Sequence, residues 1–275
     1  MDKESFIISQ FKNAFTGDDG AVVGKWIYSK DLFCEDTHFK RGWLSLYQIA
    51  QKAMIVNISD AIAMNAKPKY ALLGVGIPKN FSFQEIRELS QGFIETAREY
   101  GVKIIGGDTV SGDKIVISIT IIAKKRKHTL YRSNLRKGDI LAYTGVLGQS
   151  GYELRKLLNG GSISKDSRFV QPILRVEFIK KVTKYLRCGL DISDGLSKDL
   201  SRLCALNSLG VKFYEKIDKD IICSGEEYEM LVAFAPKNKD KVLRIAEKTE
   251  TPLNIFAEVC EGEYLSECEE HHFKG

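Results

Sequence analysis

The sequence predicts a two-domain protein that mixes strands and helices. Three observations carry this expectation. At 275 residues the chain is long enough to build two hydrophobic cores. Apolar stretches with the two-residue alternation of strands, and others with the 3.6-residue period of helices, follow one another along its length. Near residue 126 the composition turns polar and basic, from Lys124 to Lys137, which reads as a connection between a unit at 1–127 and another at 128–275.

In the first unit, residues 5–15 have the pattern of a short amphipathic helix. Gly17-Asp18-Asp19-Gly20 is a turn by composition and leads into Ala21-Val-Val23. A strand follows from Trp26 to Cys34, with Ser29 and Asp31 on one face and Lys30 on the other. His38-Phe39 comes after an acidic turn at Glu35 and Asp36. Leu44 to Asn65 carries the helical stripe Leu46, Ile49, Ala50, Ala53 and Val56, interrupted near its end by Asn57, Ser59 and Asp60. A carboxylate inside so apolar a helix is costly unless it binds something. A strand at Tyr70–Pro78, a helix at Phe83–Tyr100 and a short strand at Val102–Ile105 come next. The last runs into Gly106-Gly107-Asp108-Thr109, where the glycines permit close approach of the backbone to a ligand and Asp108 stands at the strand's tip. The same four residues also suit a plain hairpin turn into the Ile/Val-alternating strand Lys114–Lys125.

The second unit opens with the strand Asp139–Thr144. Gly145, Gly148 and Gly151 then surround Ser150 and open a helix over 151–158; no Gly-Lys-Ser/Thr follows, so this is not a P-loop. A helix is expected over 168–185. The stretch Cys188-Gly-Leu-Asp-Ile-Ser-Asp-Gly-Leu-Ser-Lys-Asp199 reads as the end of a buried strand and the start of a helix, Leu196–Leu206. Backbone N–H groups at such a junction attract anions. Two carboxylates there, Asp191 and Asp194, call for a cation between them and the anion, most simply a divalent metal carrying phosphate. Ser193 or Asp194 can cap the helix, but capping leaves Asp191 unexplained. Strands at 211–214, 228–235 and 253–261 and a helix at 238–249 complete the chain. Gly225-Glu-Glu-Tyr-Glu229 is expected as a solvated acidic turn.

Composition narrows the function classes. With 44% apolar and 28% charged residues the chain reads as an ordinary soluble globular protein. The net charge of +5 is dispersed apart from Lys124–Lys127 and the lysines at 237–241, and no aromatic residues interleave those runs, so no nucleic-acid partner is expected. The six cysteines contain no Cys-x-x-Cys pair, and reduced, buried thiols are expected rather than zinc ligands or disulfides. There is no signal segment and no apolar run of membrane-spanning length, which gives no membrane and a cytoplasmic location as the expectation.

Asp19, Asp31, Asp60, Asp108, Asp191 and Asp194 all fall at strand ends, turns or polar breaks in apolar elements, with no His/Cys cluster among them. Such a hard-oxygen set favours Mg²⁺. Carboxylates in that number converge only around several cations, and several Mg²⁺ ions in one cleft imply a polyphosphate. The reaction class that follows is phosphoryl transfer from a nucleotide.

Gly17-Asp-Asp19, Ser29-Lys-Asp31 with His38-Phe39, Asn57-Ile-Ser-Asp60-Ala-Ile-Ala-Met64 with Pro68, Gly106-Gly-Asp-Thr109, Asp191-Ile-Ser-Asp-Gly-Leu196 and Gly225-Glu-Glu-Tyr-Glu229 occur in one order between about residues 17 and 232. That series resembles the thiamine-monophosphate kinase family, in the superfamily of aminoimidazole ribonucleotide synthetase and selenophosphate synthetase. The resemblance implies an α+β fold of two domains. The N-terminal mixed sheet pairs with that of a second copy, closing a barrel across a homodimer, and an α+β C-terminal domain lies beside it. It implies ATP-dependent phosphorylation of thiamine monophosphate to thiamine diphosphate by direct in-line transfer of the γ-phosphoryl group. By motif, Asp19, Asp31, Asp60, Asp108 and Asp191 look like Mg²⁺ ligands, with Ser29 assisting and Asp194 holding a further ion. Gly107, Asp108, Arg132 and Ser193 look like ATP contacts, and His38 and Glu226 like contacts to thiamine phosphate. No general base is expected, since a phosphate nucleophile is already anionic; alignment and charge neutralisation by the metals and Arg132 carry the chemistry.

The chain departs from the family pattern in places. Lys30 stands where Thr is usual, Asn65 replaces a Gly and Glu227 an Asp. The family's C-terminal Gly-Trp-Asp-His-Phe, whose Trp lies on the thiamine, is here Glu269-Glu-His-His-Phe273, and no Trp follows Trp43. Tyr228, Tyr264 and Phe273 are then the aromatic candidates for the ring. Two other readings stay open: a sister ATP-using enzyme of the superfamily with another substrate, and a nucleotide-binding protein without turnover. The complete set of carboxylates argues against the latter.

Overall fold

The structure is a computed structural model and describes residues 3–268. In chain order the N-terminal domain contains α1 (Lys3–Ser9), β1 (Ala21–Val23), β2 (Trp26–Cys34), α2 (Leu46–Ala63), β3 (Ala66–Pro78), α3 (Phe83–Glu99), β4 (Lys103–Gly112) and β5 (Val116–Lys125). Its sheet has the order β1-β2-β5-β3-β4. Neighbours run antiparallel except β3 and β4, which are parallel because α3 returns the chain between them. Both long helices start with a capping box, Ser45 with Gln48 and Ser82 with Glu85. They cross so closely that a side chain at Gly92 would lie 2.3 Å from the Tyr47 carbonyl oxygen, so only glycine fits there.

Alternation along β5 sends Ile117, Ile119 and Ile121 under the helices, where they are fully buried. The opposite face of this sheet is open and carries the exposed side chains of Tyr28, Leu32, Leu72 and Val116. Lys30 points to that open face while Ser29 and Asp31 point inward, as alternation requires.

The C-terminal domain contains β6 (Ile140–Thr144), α4 (Gln149–Leu158), α5 (Val176–Val182), β7 (Cys188–Asp191), α6 (Leu196–Asn207), β8 (Gly210–Phe213), α7 (Lys219–Ile222), β9 (Met230–Phe234), α8 (Lys239–Lys248) and β10 (Leu253–Cys260). Its antiparallel sheet has the order β7-β9-β6-β10-β8. One face packs on α5 and α8 through Phe178, Val182 and Val242, the other on α6 through Leu196, Leu200 and Leu203. A strand covered on both sides must be apolar throughout, and every residue of β9 is buried. Among the described residues no helix is long and apolar enough to cross a membrane.

Several sequence expectations need correction. The helix expected at 5–15 ends at Ser9. The one expected over 168–185 begins only at Val176, because Pro172 removes a backbone donor and disfavours helix before it. Gly106 and Gly107 are neither a hairpin turn nor a strand tip: β4 runs through them to Gly112. The four-residue helix α7 carries no apolar period and was not expected; Asp218 caps it by accepting from the Asp220 N–H at 2.9 Å. Cys223 and Cys268 form a disulfide between residues 45 apart in sequence, against the expectation of reduced thiols. No spacing rule reveals a pairing made only by the way the tail folds back. Glu269–Phe273 lies outside the described residues.

Candidate active site

Three carboxylates converge between the domains. Asp19 comes from the turn before β1, Asp60 from the last turn of α2, and Asp191 from the end of β7; their oxygens lie within 4.8 Å of one another. Burial pushes all three acids up; neighbouring members of the trio add to this at Asp60 and Asp191, while Arg132 opposes it at Asp19. For Asp60 the neighbours that raise it are Asp31, Asp191 and Asp19, which places Asp31 beside the trio. Around them, α2 supplies a frame of hydrogen bonds. Ser59 donates its hydroxyl to Asp191, and the Asn57 side chain accepts from the Asp31 N–H at 2.9 Å. Ser29 is buried and donates to the Asn57 carbonyl at 3.4 Å.

Arg132, from the segment joining the domains, binds Asp19 through its guanidinium, with Nε at 3.1 Å, while its backbone N–H donates to Asp18 at 2.7 Å. The connection is therefore part of the site and not a spacer. Asp19 still keeps one buried carboxylate oxygen, Oδ2, without a hydrogen-bond partner. A buried, unsatisfied oxygen facing two further carboxylates is a position that a hard cation satisfies, so these residues fit Mg²⁺.

The two residues after Ile192 lead from this cluster to a cavity of about 650 Å³, lined among others by His38, Phe39, Trp43, Phe169, Ser193, Asp194 and Glu226. That volume suits a small organic ligand. The acidic stretch 225–229 is not the solvated turn its composition suggests. Its backbone zips onto the residues after Asp191: Glu226 N–H donates to the Ser193 carbonyl at 2.7 Å, Tyr228 N–H to Ile192 at 2.8 Å, and Ile192 N–H to Glu229 at 2.7 Å. Glu226 and Tyr228 both sit at positive φ, +56° and +52°, a local strain that the surrounding contacts hold in place. Glu227 and Glu229 are both buried; every carboxylate oxygen of Glu229 has a donor, whereas Glu227 is held through Oε1 alone and keeps Oε2 buried without a partner. Glu227 accepts from the N–H groups of Gly148 and Ser150 and from the Ser224 hydroxyl, and Glu229 from Arg168, Arg175 and Thr144. Tyr228 is pushed well up by burial and then by the charges of Glu226, Asp31, Asp191 and Asp60; it does not line the cavity.

Of the residues singled out by sequence, Asp19, Asp60 and Asp191 come together, with Asp31, Ser29 and Arg132 around them. His38, Ser193, Asp194 and Glu226 line the cavity. Asp194 already binds Arg202, so its charge is answered from within the chain. Asp108 and Gly107 are exposed on the edge strand β4 and do not join the trio. Gly107 has a local reason of its own: a side chain there would lie 1.7 Å from the Leu73 carbonyl oxygen of β3. Asn65 adopts the left-handed conformation, φ +55°, that the usual glycine would take, and its amide donates to the His128 carbonyl at 2.6 Å. Tyr264 does not line the cavity; its hydroxyl pairs with Ser197 at 2.8 Å and its ring with Phe213. The aromatic walls are Phe39, Trp43 and Phe169.

Three charged residues escaped the sequence reading. Lys52 is completely buried in α2 with Nζ 2.7 Å from Glu226; burial pushes its ammonium down, opposed by Glu226 and Glu153. Asp199 accepts the N–H groups of Ser193 and Asp194, both at 3.0 Å, and is pushed up to about 7 by burial and the Asp194 charge. Arg202 bridges Asp194 and Asp199. Lys52 left one signal, a lysine inside an apolar helical stripe.

The chain is similar in sequence and fold to known proteins. The family described as AIR synthase related protein matches with its N-terminal domain over residues 17–124 and its C-terminal domain over 136–267. A thiamine-monophosphate kinase of Bacillus subtilis is 33% identical, covering 73% of this chain and 67% of its own length. Another, of Leptospira interrogans, is 32% identical and covers 79% and 77%. The solved structure described as AaThiL complexed with AMPPCP and TMP is 23% identical, with a TM-score of 0.83 over 99% of this chain and 93% of that one, and shares the fold.

Proposed function

The chain belongs to the AIR synthase related family and to its thiamine-monophosphate kinases, and on that premise we propose that it transfers the γ-phosphoryl group of ATP to the phosphate of thiamine monophosphate. The observation that carries the proposal is the convergence of Asp19, Asp60 and Asp191 within 4.8 Å, with an unsatisfied buried oxygen on Asp19.

Asp19, Asp31, Asp60 and Asp191, with Ser29 beside them, would hold Mg²⁺; Asp108 and Asp194 belong to the same set in this reading. When bound, Mg²⁺ neutralises the polyphosphate and the charge that develops on the transferred group. The chain's own residues bind and align. Arg132, held by Asp19, and Ser193, held by Asp199, are the ATP contacts, together with Gly107 and Asp108 on the open edge of the sheet. His38 and Glu226 grip the thiamine end of the cavity. The Cys34 N–H donates to His38 Nδ1 at 3.0 Å, which orients the imidazole. The attacking phosphate is anionic, so no side chain need remove a proton, and in-line placement lowers the barrier.

The domain boundary at 127/128 and a homodimer are part of the proposal. β5 ends at Lys125 and β6 begins at Ile140, and the open face with Tyr28, Leu32, Leu72 and Val116 is apolar enough to need a partner sheet. The direct experiment supplies thiamine monophosphate and Mg·ATP and scores thiamine diphosphate and ADP. Equal amounts of both support the reading; ADP without thiamine diphosphate rejects it.

A further inference from the structure

Lysine is almost never fully buried unless it is paired. Lys52 has no exposed surface, and its ammonium donates to Glu226 Oε2 at 2.7 Å. It also lies over the Phe169 ring, 3.5 Å from the centroid, a cation–π contact made without intervening water. Glu226 itself is held by its backbone at φ +56° and keeps part of its side chain open to the cavity. Among the described residues no other side chain donates a hydrogen bond to that carboxylate.

The position of Lys52 on α2 adds to this. Lys52 and Ser59 are seven residues apart, two helical turns or about 10 Å along one face. Ser59 binds Asp191 at the carboxylate cluster, and Lys52 binds Glu226 in the wall of the cavity. One helix therefore contacts both the carboxylate cluster and the cavity wall.

We propose that Lys52 is a positioning residue that fixes the Glu226 carboxylate toward the cavity and so selects a substrate whose ring carries positive charge or hydrogen-bond donors. The proposal rests on the substrate reading above and adds to it a determinant of ring recognition. An unpaired lysine would repel such a ring. Paired with Glu226, and with Phe169 covering it, Lys52 is neutralised, and the part of the Glu226 side chain left open to the cavity is available to the ligand.

The test is a double-mutant cycle in the full-length protein, with Lys52→Met, Glu226→Gln and the double variant. The KM for thiamine monophosphate, the KM for ATP and kcat are measured for each, and thermal unfolding checks the fold. Lys52→Met is expected to raise the KM for thiamine monophosphate about tenfold, with kcat and the KM for ATP within about twofold. The double variant is expected to be no worse than the worse single one, because Lys52 acts through Glu226. Should Lys52→Met fail to fold, Lys52→Gln keeps a donor in similar volume and is expected to show the same split more weakly. Multiplicative effects in the double variant, an unchanged KM for thiamine monophosphate, or an equal rise in the KM for ATP overturn the proposal while leaving the substrate reading intact. A wild-type protein that does not convert thiamine monophosphate overturns both.

Discussion

Ser59 of α2 donates its hydroxyl to Asp191 of β7, and this hydrogen bond ties the two domains together at the carboxylate cluster. It forms 132 residues apart in sequence, so the cluster exists only when both domains are folded and docked. The same bond lowers the tendency of Asp191 to take up a proton, against burial and the Asp19 charge, which raise it.

Asp60→Asn is expected to lower kcat at least about a hundredfold, the loss that follows removal of one electrostatic contact to a transition state. In a metal chelator the same change should leave the melting temperature unchanged or raise it, since it removes one of several repelling carboxylates. The sign with pH follows. Acids raised by folding contribute stability below about pH 4, where the unfolded carboxyls are protonated, and lose it as pH rises through the folded pKa values. The chelated wild type should therefore lose more stability than Asp60→Asn as pH increases. Melting curves of both proteins across that range check it, and parallel profiles would contradict it.

Lys30→Thr is expected to change kcat by less than about tenfold, or roughly 1.4 kcal/mol. The side chain points to the open face of the sheet and its ammonium contacts Ser118, away from Asp31. A larger gain would mean that the lysine reaches the metals.

The motif carboxylates were legible because each interrupts a pattern: Asp60 an apolar helix, Asp191 an apolar strand, Asp19 a glycine-bounded turn. Alternation placed Ser29, Lys30 and Asp31 on their correct faces. The other end of the site was less readable. Glu227 and Glu229 look solvated until Gly148, Arg168 and Arg175, distant in sequence, are brought to them. Lys52 contradicts the stripe that surrounds it, and only Glu226, 174 residues away, resolves the conflict. Asp108 was expected at a strand tip, but the glycines before it serve strand packing and the strand continues.

With Tyr264 packed against Phe213 and Ser197, the ring of the substrate has the half-buried Trp43 as an aromatic wall. Trp43→Ala should raise the KM for thiamine monophosphate several-fold, a ring–ring contact being worth about 0.5–1.5 kcal/mol beyond burial. The reacting phosphate is remote, so kcat should move less. Steady-state kinetics with Tyr264→Ala as the control check it; a larger KM effect in the control would contradict the assignment.

The Cys223–Cys268 bridge predicts a thiol count. Denatured, unreduced protein should titrate with Cys34, Cys188, Cys204 and Cys260 alone. Its loop of 45 residues corresponds to a chain-entropy contribution of about 4 kcal/mol at most. Dithiothreitol should therefore lower the melting temperature, and the tail beyond Tyr264 should become protease-sensitive. Six reactive thiols without reductant would contradict the bridge.

The central claim is direct transfer of a phosphoryl group at the carboxylate cluster. The measurement that meets it head-on follows the label from γ-³²P-ATP after rapid quenching with thiamine monophosphate and Mg²⁺ present. The account predicts that the label appears in thiamine diphosphate in step with ADP, with none on the protein at any time, and that Asp191→Asn abolishes both products. Label that first accumulates on the protein, or ADP release without labelled thiamine diphosphate, would contradict it.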